Sequence, residues 1–284
     1  MEAGVFLSLN ETTPPPLIAQ AARAIEERGF HAIWVPEHVV MFDDYDSKYP
    51  YSPDGRIEGY GRGMMEPFTA MSYLAAHTSK VRLGTSICLI TQRNPVYTAK
   101  QVADVDFLSG GRVNLGIGLG WLQEEFRALG VPFEKRGKRA NEHIEVMKAL
   151  WCDETSEYHG ELFDLPSCVM YPKPVQTPHP PIFVGGEGDH SLRRVADLCQ
   201  GWLGASMEPD VVAERIATLH RLLDERGRAR DEVKIYTMPN LRPDADRCRR
   251  LEDAGVEQVI HMVRLREIGE TEAALDKYAA MVFA

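Results

Sequence analysis

Short, almost wholly apolar runs alternate with longer amphipathic segments from one end of the chain to the other. Such runs read as buried parallel strands, which are covered on both faces and therefore lack a polar alternation. Gly4 to Asn10 is the first. Pro14-Pro15-Pro16 then opens a helix through Arg28 in which Leu17, Ala21, Ala24 and Ile25 share one face, and Gly29 closes it. The second run, from Ala32, is broken by Pro36 and ends on Glu37 and His38. Glu66-Pro67 starts a helix to Ser79, Val81 to Ile90 is a third strand, and Asn94-Pro95 starts a helix that stops at Gly110-Gly111. Arg112 to Gly120 is the fourth strand. Further on, strands at Pro181 to Val184, Gly201 to Ala205, Val233 to Met238 and Val256 to Met262 are each followed by a helix: Ser191 to Cys199, Pro209 to Arg226, Asp244 to Ala254 and Thr271 to Val282.

Eight strands each followed by a helix predict an α/β fold, a single (β/α)8 TIM barrel over residues 1–284. A doubly wound open sheet is the other fold that accommodates such a pattern. Two insertions interrupt the alternation. After strand two, Met41 to Met65 has no period but carries Pro50, Pro53, Gly55, Gly59 and Gly61 together with Tyr45, Tyr49, Tyr51 and Tyr60. A loop of that length inside a compact domain is functional or disordered, and its tyrosines suggest a lid. After strand four come a short helix, Trp121 to Leu129, a long one, Lys138 to Trp151, and an excursion over 153–180 that contains a hairpin.

Charge and cysteine content narrow the partners. A formal charge of −10 argues against a phosphate-backbone partner, so no nucleic acid is expected. Five cysteines, Cys88, Cys152, Cys168, Cys199 and Cys248, with no C-x-x-C pair, fit reduced thiols in a cytoplasmic protein and not a disulfide frame or zinc cluster. No apolar run reaches the ~18 residues of a membrane span, and no secretory leader pattern opens the chain.

In a parallel barrel the chemistry gathers where strands end at the carboxyl mouth, which makes His38 the first candidate for a working residue. Gly116, Gly118 and Gly120 alternate with Leu115, Ile117 and Leu119, so in one strand they would share a face and clear room for a planar ring. They do not form the dinucleotide fingerprint, because Trp121 stands where its last glycine is needed. Phe183-Val184-Gly185-Gly186-Glu187-Gly188, just before a helix, offers bare backbone amides to an anion. Together the two glycine patterns point to a planar cofactor bearing phosphate. There is no G-x-S-x-G elbow and no H-E-x-x-H; Glu142-His143 reads as a solvated pair, and no metal site is expected.

Trp34-Val35-Pro36-Glu37-His38, Arg82-Leu83-Gly84-Thr85-Ser86, Arg93-Asn94-Pro95, Gly116-Ile117-Gly118-Leu119-Gly120-Trp121-Leu122 with Glu124-Glu125-Phe126, Tyr171-Pro172-Lys173-Pro174-Val175-Gln176 and Gly185-Gly186 resemble, in combination, the bacterial luciferase-like monooxygenase superfamily. Within it the chain is most similar to the branch that uses the deazaflavin coenzyme F420. The resemblance runs from the first strand to Ser206 and fades beyond Met207.

What the resemblance implies is an F420-dependent oxidoreductase that transfers a hydride between the deazaflavin and a small carbonyl, alcohol or conjugated enone. It implies a non-proline cis peptide at Ser86-Ile87 pressing on the back of the ring. Leu89, Gly118 and Gly120 would line the ring, Val184, Gly185 and Gly186 would meet the phosphate tail, Ser206 would also belong to the cofactor-binding set, and His38 would stand over the reactive face. Where the sugar-phosphate dehydrogenase branch has an acid after the third glycine this chain has Trp121, so Glu124 is taken as the candidate acid. The family's homodimer is expected too. An FMN-dependent two-component monooxygenase and a non-catalytic flavin-binding relative are the alternatives.

Overall fold

The computed structural model describes residues 1–57, 62–205, 207–239 and 244–283. Its first half runs β1 (Glu2–Leu7), α1 (Pro15–Glu27), β2 (Ala32–Val35), α2 (Pro67–His77), β3 (Arg82–Thr85), α3 (Pro95–Ser109) and β4 (Val113–Ile117). Next come α4 (Gln123–Ala128), α5 (Arg136–Cys152) and the hairpin strands β5 (Ser156–His159) and β6 (Asp164–Cys168). The second half runs β7 (Ile182–Gly185), α6 (Asp189–Leu198), β8 (Gly201–Ala205), α7 (Pro209–Asp224), β9 (Lys234–Met238), α8 (Ala245–Asp253), β10 (Gln258–Val263) and α9 (Ile268–Val282). Among the described residues, strands close into a parallel barrel in the order β1-β10-β9-β8-β7-β4-β3-β2, with β5 and β6 paired antiparallel outside it. The closed (β/α)8 barrel expected from the alternation is the observed fold. An open sheet is ruled out because the pairings close on themselves and leave no edge strand in this sheet.

Strand alternation divides the core into two layers. Val5, Ile33, Val35, Leu115, Ile117 and Val184 face outward and pack with the helices in one large cluster. Phe6, Trp34, Phe183, Leu203, Tyr236 and Ile260 fill the barrel interior. The Trp34 and Phe183 rings meet edge to face at 5.8 Å, and Phe183 stacks on Tyr236 at 4.7 Å. Such bulk fits because the adjacent strand carries glycine in register with it. A Cβ at Gly84 would lie 2.3 Å from the Trp34 ring, and one at Gly201 would lie 2.0 Å from Phe183. The interior is thus plugged below its mouth, and any ligand must sit above this aromatic layer.

Several strands stop short of the apolar runs that predicted them. β2 ends at Val35, before Pro36; β3 ends at Thr85; β4 ends at Ile117. The lost residues form the walls of the mouth. One further expectation fails: Glu142 and His143 are buried, not solvated. Glu142 accepts hydrogen bonds from the Leu162 and Phe163 amides of the hairpin at 2.8 and 2.9 Å, and His143 Nδ1 meets the Ile90 carbonyl at 3.0 Å. The hairpin covers a helix face that looked polar and free in the sequence.

Overpacking a filled interior costs about 1–3 kcal/mol. Gly84→Ala is therefore expected to lower the free energy of urea unfolding by that order, because Trp34 has nowhere to move. Gly269→Ala, at the start of α9 with no atom within 4 Å of a new Cβ, is expected to be neutral or slightly stabilising in the same titration.

Candidate active site

A cavity of about 300 Å³ opens at the carboxyl ends of the strands. His38 beyond β2, Ser86, Ile87 and Leu89 beyond β3, and Gly118, Gly120 and Trp121 beyond β4 form one side of it. Gly185, Gly186 and Ser191, around the turn from β7 into α6, form another, and Tyr49, Pro50, Tyr51 and Ile57 of the long connection after β2 also line it. That connection is therefore a lid, as its tyrosines suggested. Gly59, Tyr60 and Gly61 of the same stretch lie outside the described residues.

His38 is 7% exposed, and its Nδ1 lies 2.9 Å from Oε2 of Glu125, whose side chain is wholly buried. Glu125 also accepts from the Val39 amide at 2.6 Å, the Val40 amide at 3.3 Å and Gln92 Nε2 at 3.0 Å. Burial alone would raise the pKa of this carboxyl. The donors, led by His38, outweigh it and hold the group below its ordinary value. An ionised carboxylate can only accept, so Nδ1 carries the hydrogen and Nε2 is the nitrogen left for a ligand. Glu125 is the residue that sequence reasoning missed. It touches the lining histidine and acts through it.

Glu37, next to His38, is clamped as well. It accepts from the Leu89 amide at 2.6 Å and from Arg93 Nε at 2.7 Å, and Arg93 reaches Glu66 at 2.6 Å. This part-buried chain ties the tip of β2 to the segment after β3 and to the start of α2.

Between those tips the Ser86-Ile87 peptide is cis, as the resemblance implied, and both residues line the cavity. Gly116 in β4 and Gly118 just beyond it have a different use from the one expected. A Cβ at Gly116 would lie 2.0 Å from the Thr85 carbonyl oxygen, and one at Gly118 would lie 1.9 Å from Cδ1 of Ile87. The face they clear is taken by the bulge of the neighbouring strand, which sets Ile87 into the mouth. Gly120 is not in the strand; it has φ +74° and turns the chain toward Trp121.

Val184 is absent from the cavity wall: alternation sends its side chain outward into the helix-packed core, with Phe183 and Gly185 on the inner side. Ser206 lies outside the described residues. Glu124 does not line the cavity either. Its carboxylate accepts from the Asp46 amide at 2.8 Å and the Ser47 hydroxyl at 2.7 Å. Desolvation opposes ionisation there, but those hydrogen bonds carry its pKa down to about 2. It is a lid clamp, unsuited to donating a proton at the mouth.

At the β7–α6 turn Gly186 has φ +103°, and a Cβ there would come within 2.9 Å of Ser191 Oγ. Trp202 Nε1 binds the Gly186 carbonyl at 2.9 Å. Bare amides, a hydroxyl and the start of a ten-residue helix suit an anionic tail. Glu187 in the same turn is engaged elsewhere, accepting from the Ala205 amide at 3.1 Å and the Tyr51 hydroxyl at 3.2 Å, and burial pushes its pKa up. Among the described residues no three His, Cys, Asp or Glu side chains are placed to hold a metal ion, and no helix is long and apolar enough to cross a membrane.

A parallel barrel with a carboxylate-braced histidine at its mouth, beside a bulged strand and a glycine-rich turn, has the form of a barrel enzyme. The model of the luciferase-like monooxygenase family matches residues 1–283, and the chain belongs to that family of oxidoreductases and monooxygenases. An uncharacterized protein of Mycobacterium tuberculosis is 36% identical over 241 residues, 84% of this chain and 82% of its own. The FMNH2-dependent dimethylsulfone monooxygenase of Pseudomonas putida is 33% identical over 148 residues, 51% of this chain and 40% of its own. The solved coenzyme F420-dependent tetrahydromethanopterin reductase from Methanopyrus kandleri superposes with a TM-score of 0.77 at 18% identity, over 99% of this chain and 98% of its own.

Leaving a buried donor unsatisfied costs about 1–3 kcal/mol, and Glu125→Ala, which strands the His38, Val39, Val40 and Gln92 donors, is expected to lose at least that much stability in urea unfolding at neutral pH. Because the Glu125 carboxyl titrates lower folded than unfolded, its contribution is full above the ordinary glutamate value of about 4.3 and fades as pH falls through the depressed one. Glu125→Gln is therefore expected to show a shallower loss of stability on acidification than the wild type. Equal slopes for the two proteins between pH 6 and pH 3 would contradict this account of Glu125.

Proposed function

We propose that the protein is an oxidoreductase that moves a hydride between coenzyme F420 and a small organic substrate, a carbonyl, alcohol or conjugated enone, with His38 as its catalytic residue. The observation that carries this reading is the dyad: Nδ1 of His38 held 2.9 Å from buried Glu125 while the same ring lines the cavity.

The residues present fit a planar ring with an anionic tail. Ile87, set forward by the bulge, would support one face of the ring, and Leu89, Gly118 and Gly120 would border it. Gly185, Gly186 and Ser191 would hold the tail, since a side chain at 186 would collide with the Ser191 hydroxyl. When bound, the deazaflavin supplies a carbon that donates or accepts the hydride. His38 Nε2 would donate a proton to, or take one from, the substrate oxygen as the hydride moves, and Glu125 would stabilise the imidazolium form, fix the tautomer and hold the ring in place. The lid residues Tyr49, Pro50 and Tyr51 would exclude water from the reacting atoms. A small uncharged substrate suits the largely apolar wall, and the homodimer implied by the resemblance belongs to the same reading.

A second reading, an FMN-dependent monooxygenase, is favoured by the sequence similarity to the Pseudomonas putida enzyme named above. Quenching of protein fluorescence by each cofactor separates the two. Tighter binding of F420 than of FMN is expected, and the opposite order would replace the first reading with the second. With reduced F420 and a panel of enones, ketones and imines, His38→Ala is expected to lower kcat/KM by roughly 10²–10⁴-fold, the usual worth of a positioned acid or base. F420 should still quench the variant's fluorescence. An unchanged kcat/KM would remove His38 from the chemistry.

A further inference from the structure

The lid half of the cavity is built differently from the cofactor half. Trp121 meets His38 at 5.8 Å, Tyr49 at 5.2 Å and Tyr45 at 5.5 Å between ring centroids, each in an edge-on arrangement. Tyr49 in turn meets Tyr51 at 5.5 Å. Tyr51, Tyr49, Trp121 and His38 therefore form a continuous aromatic wall, and all four line the cavity. The Tyr51 end is pinned by its hydroxyl to Glu187, 3.2 Å from each carboxylate oxygen. The lid behind the Trp121 end is pinned by Ser47, whose hydroxyl donates to Glu124 and accepts from the Gln123 amide at 3.0 Å. Rings held at both ends act as a fixed surface.

The charge around this wall is equally constrained. Among the described residues lining the cavity there is no lysine and no arginine. The nearby carboxylates are each committed: Glu37 to Leu89 and Arg93, Glu125 to His38, and Glu187 to Tyr51 and Ala205. A substrate carboxylate or phosphate here would be desolvated with no lysine or arginine to pair with, whereas a flat unsaturated body gains ring contacts.

We propose that the Tyr51–Tyr49–Trp121–His38 wall is the specificity determinant of this site, selecting an uncharged, planar, unsaturated carbonyl compound and rejecting the same skeleton once it bears a carboxylate. The proposal rests on the hydride-transfer reading for what the substrate undergoes, but its test is one of binding. Cyclohex-2-enone and 3-oxocyclohex-1-ene-1-carboxylate would be titrated calorimetrically into the full-length protein, alone and saturated with whichever of F420 and FMN it binds. Cyclohex-2-enone is expected to bind the more tightly in both states. Trp121→Leu is expected to weaken its binding by about five- to tenfold, the worth of one aromatic contact. Tyr49→Leu gives the same reading should Trp121→Leu fail to fold. Tyr49→Arg, which brings a cation to the wall, is expected to favour the carboxylate instead.

Equal or tighter wild-type binding of the carboxylate, binding of neither compound, or unchanged affinity in both leucine variants would overturn the proposal. If the binding pattern holds but no hydride reaches any enone, it is the function proposed above that fails. Turnover of carboxylate-bearing substrates with a reversed binding preference would leave that function standing and remove the wall.

Discussion

The mouth of this barrel is organised around one buried carboxylate. Glu125 lies on the first turn of α4, yet its oxygens are filled by donors from two other parts of the chain: His38, Val39 and Val40 beyond β2, and Gln92 beyond β3. An isolated buried charge is costly, and its cost falls only if every donor is in place. The requirement runs both ways. The carboxylate is tolerated because the loop after β2 folds over it, and that loop takes its path because the carboxylate is there. His38 inherits its orientation from this mutual constraint.

The second constraint is steric. β3 and β4 approach so closely at their ends that only glycine fits at 116 and 118, where Cβ atoms would run into the Thr85 carbonyl and the Ile87 side chain. Backbone therefore occupies space that side chains would otherwise fill, and Ile87 is carried into the cavity. Beneath it, Trp34, Phe183 and Tyr236 close the interior. A floor that cannot sink and a bulge that cannot retreat leave a cavity whose depth is fixed by the scaffold, so variation in what it binds falls to the lid.

Much of this was legible in the sequence and some was not, for identifiable reasons. His38 stood out because a proline-bounded apolar run ended on it, and strand ends point to the mouth. Glu124 and Glu125 could not be told apart by that logic. Adjacent helical positions differ by about 100° in direction, and which one faced inward depended on where α4 began. The structure starts α4 at Gln123, burying Glu125 and leaving Glu124 at the lid. Val184 was misplaced by strand parity, since its neighbours Phe183 and Gly185 face the interior and it does not. The glycine alternation of β4 was read correctly as a close approach, but the approaching group was a strand and not a ring. A sequence shows that room has been made without showing who takes it.

The same limit applies to charge. Glu37, Glu125 and Glu187 read along the chain as three acids beside the site proposed for an anionic cofactor, which would be an electrostatic conflict. In the fold each is answered locally, by Arg93 and the Leu89 amide, by His38, and by the Tyr51 hydroxyl with the Ala205 amide. Two of those answers come from side chains that also line the cavity, those of His38 and Tyr51. Neutralising the acids thus positions the groups a ligand would meet: Glu125 sets the imidazole, and Glu187 sets one end of the aromatic wall. Among the described residues lining the cavity there is no lysine or arginine. Under the proposed reading a ligand would therefore meet ring faces, the His38 nitrogen and the amides and hydroxyl of the β7–α6 turn, with the buried carboxylates fixing where the first of these stand.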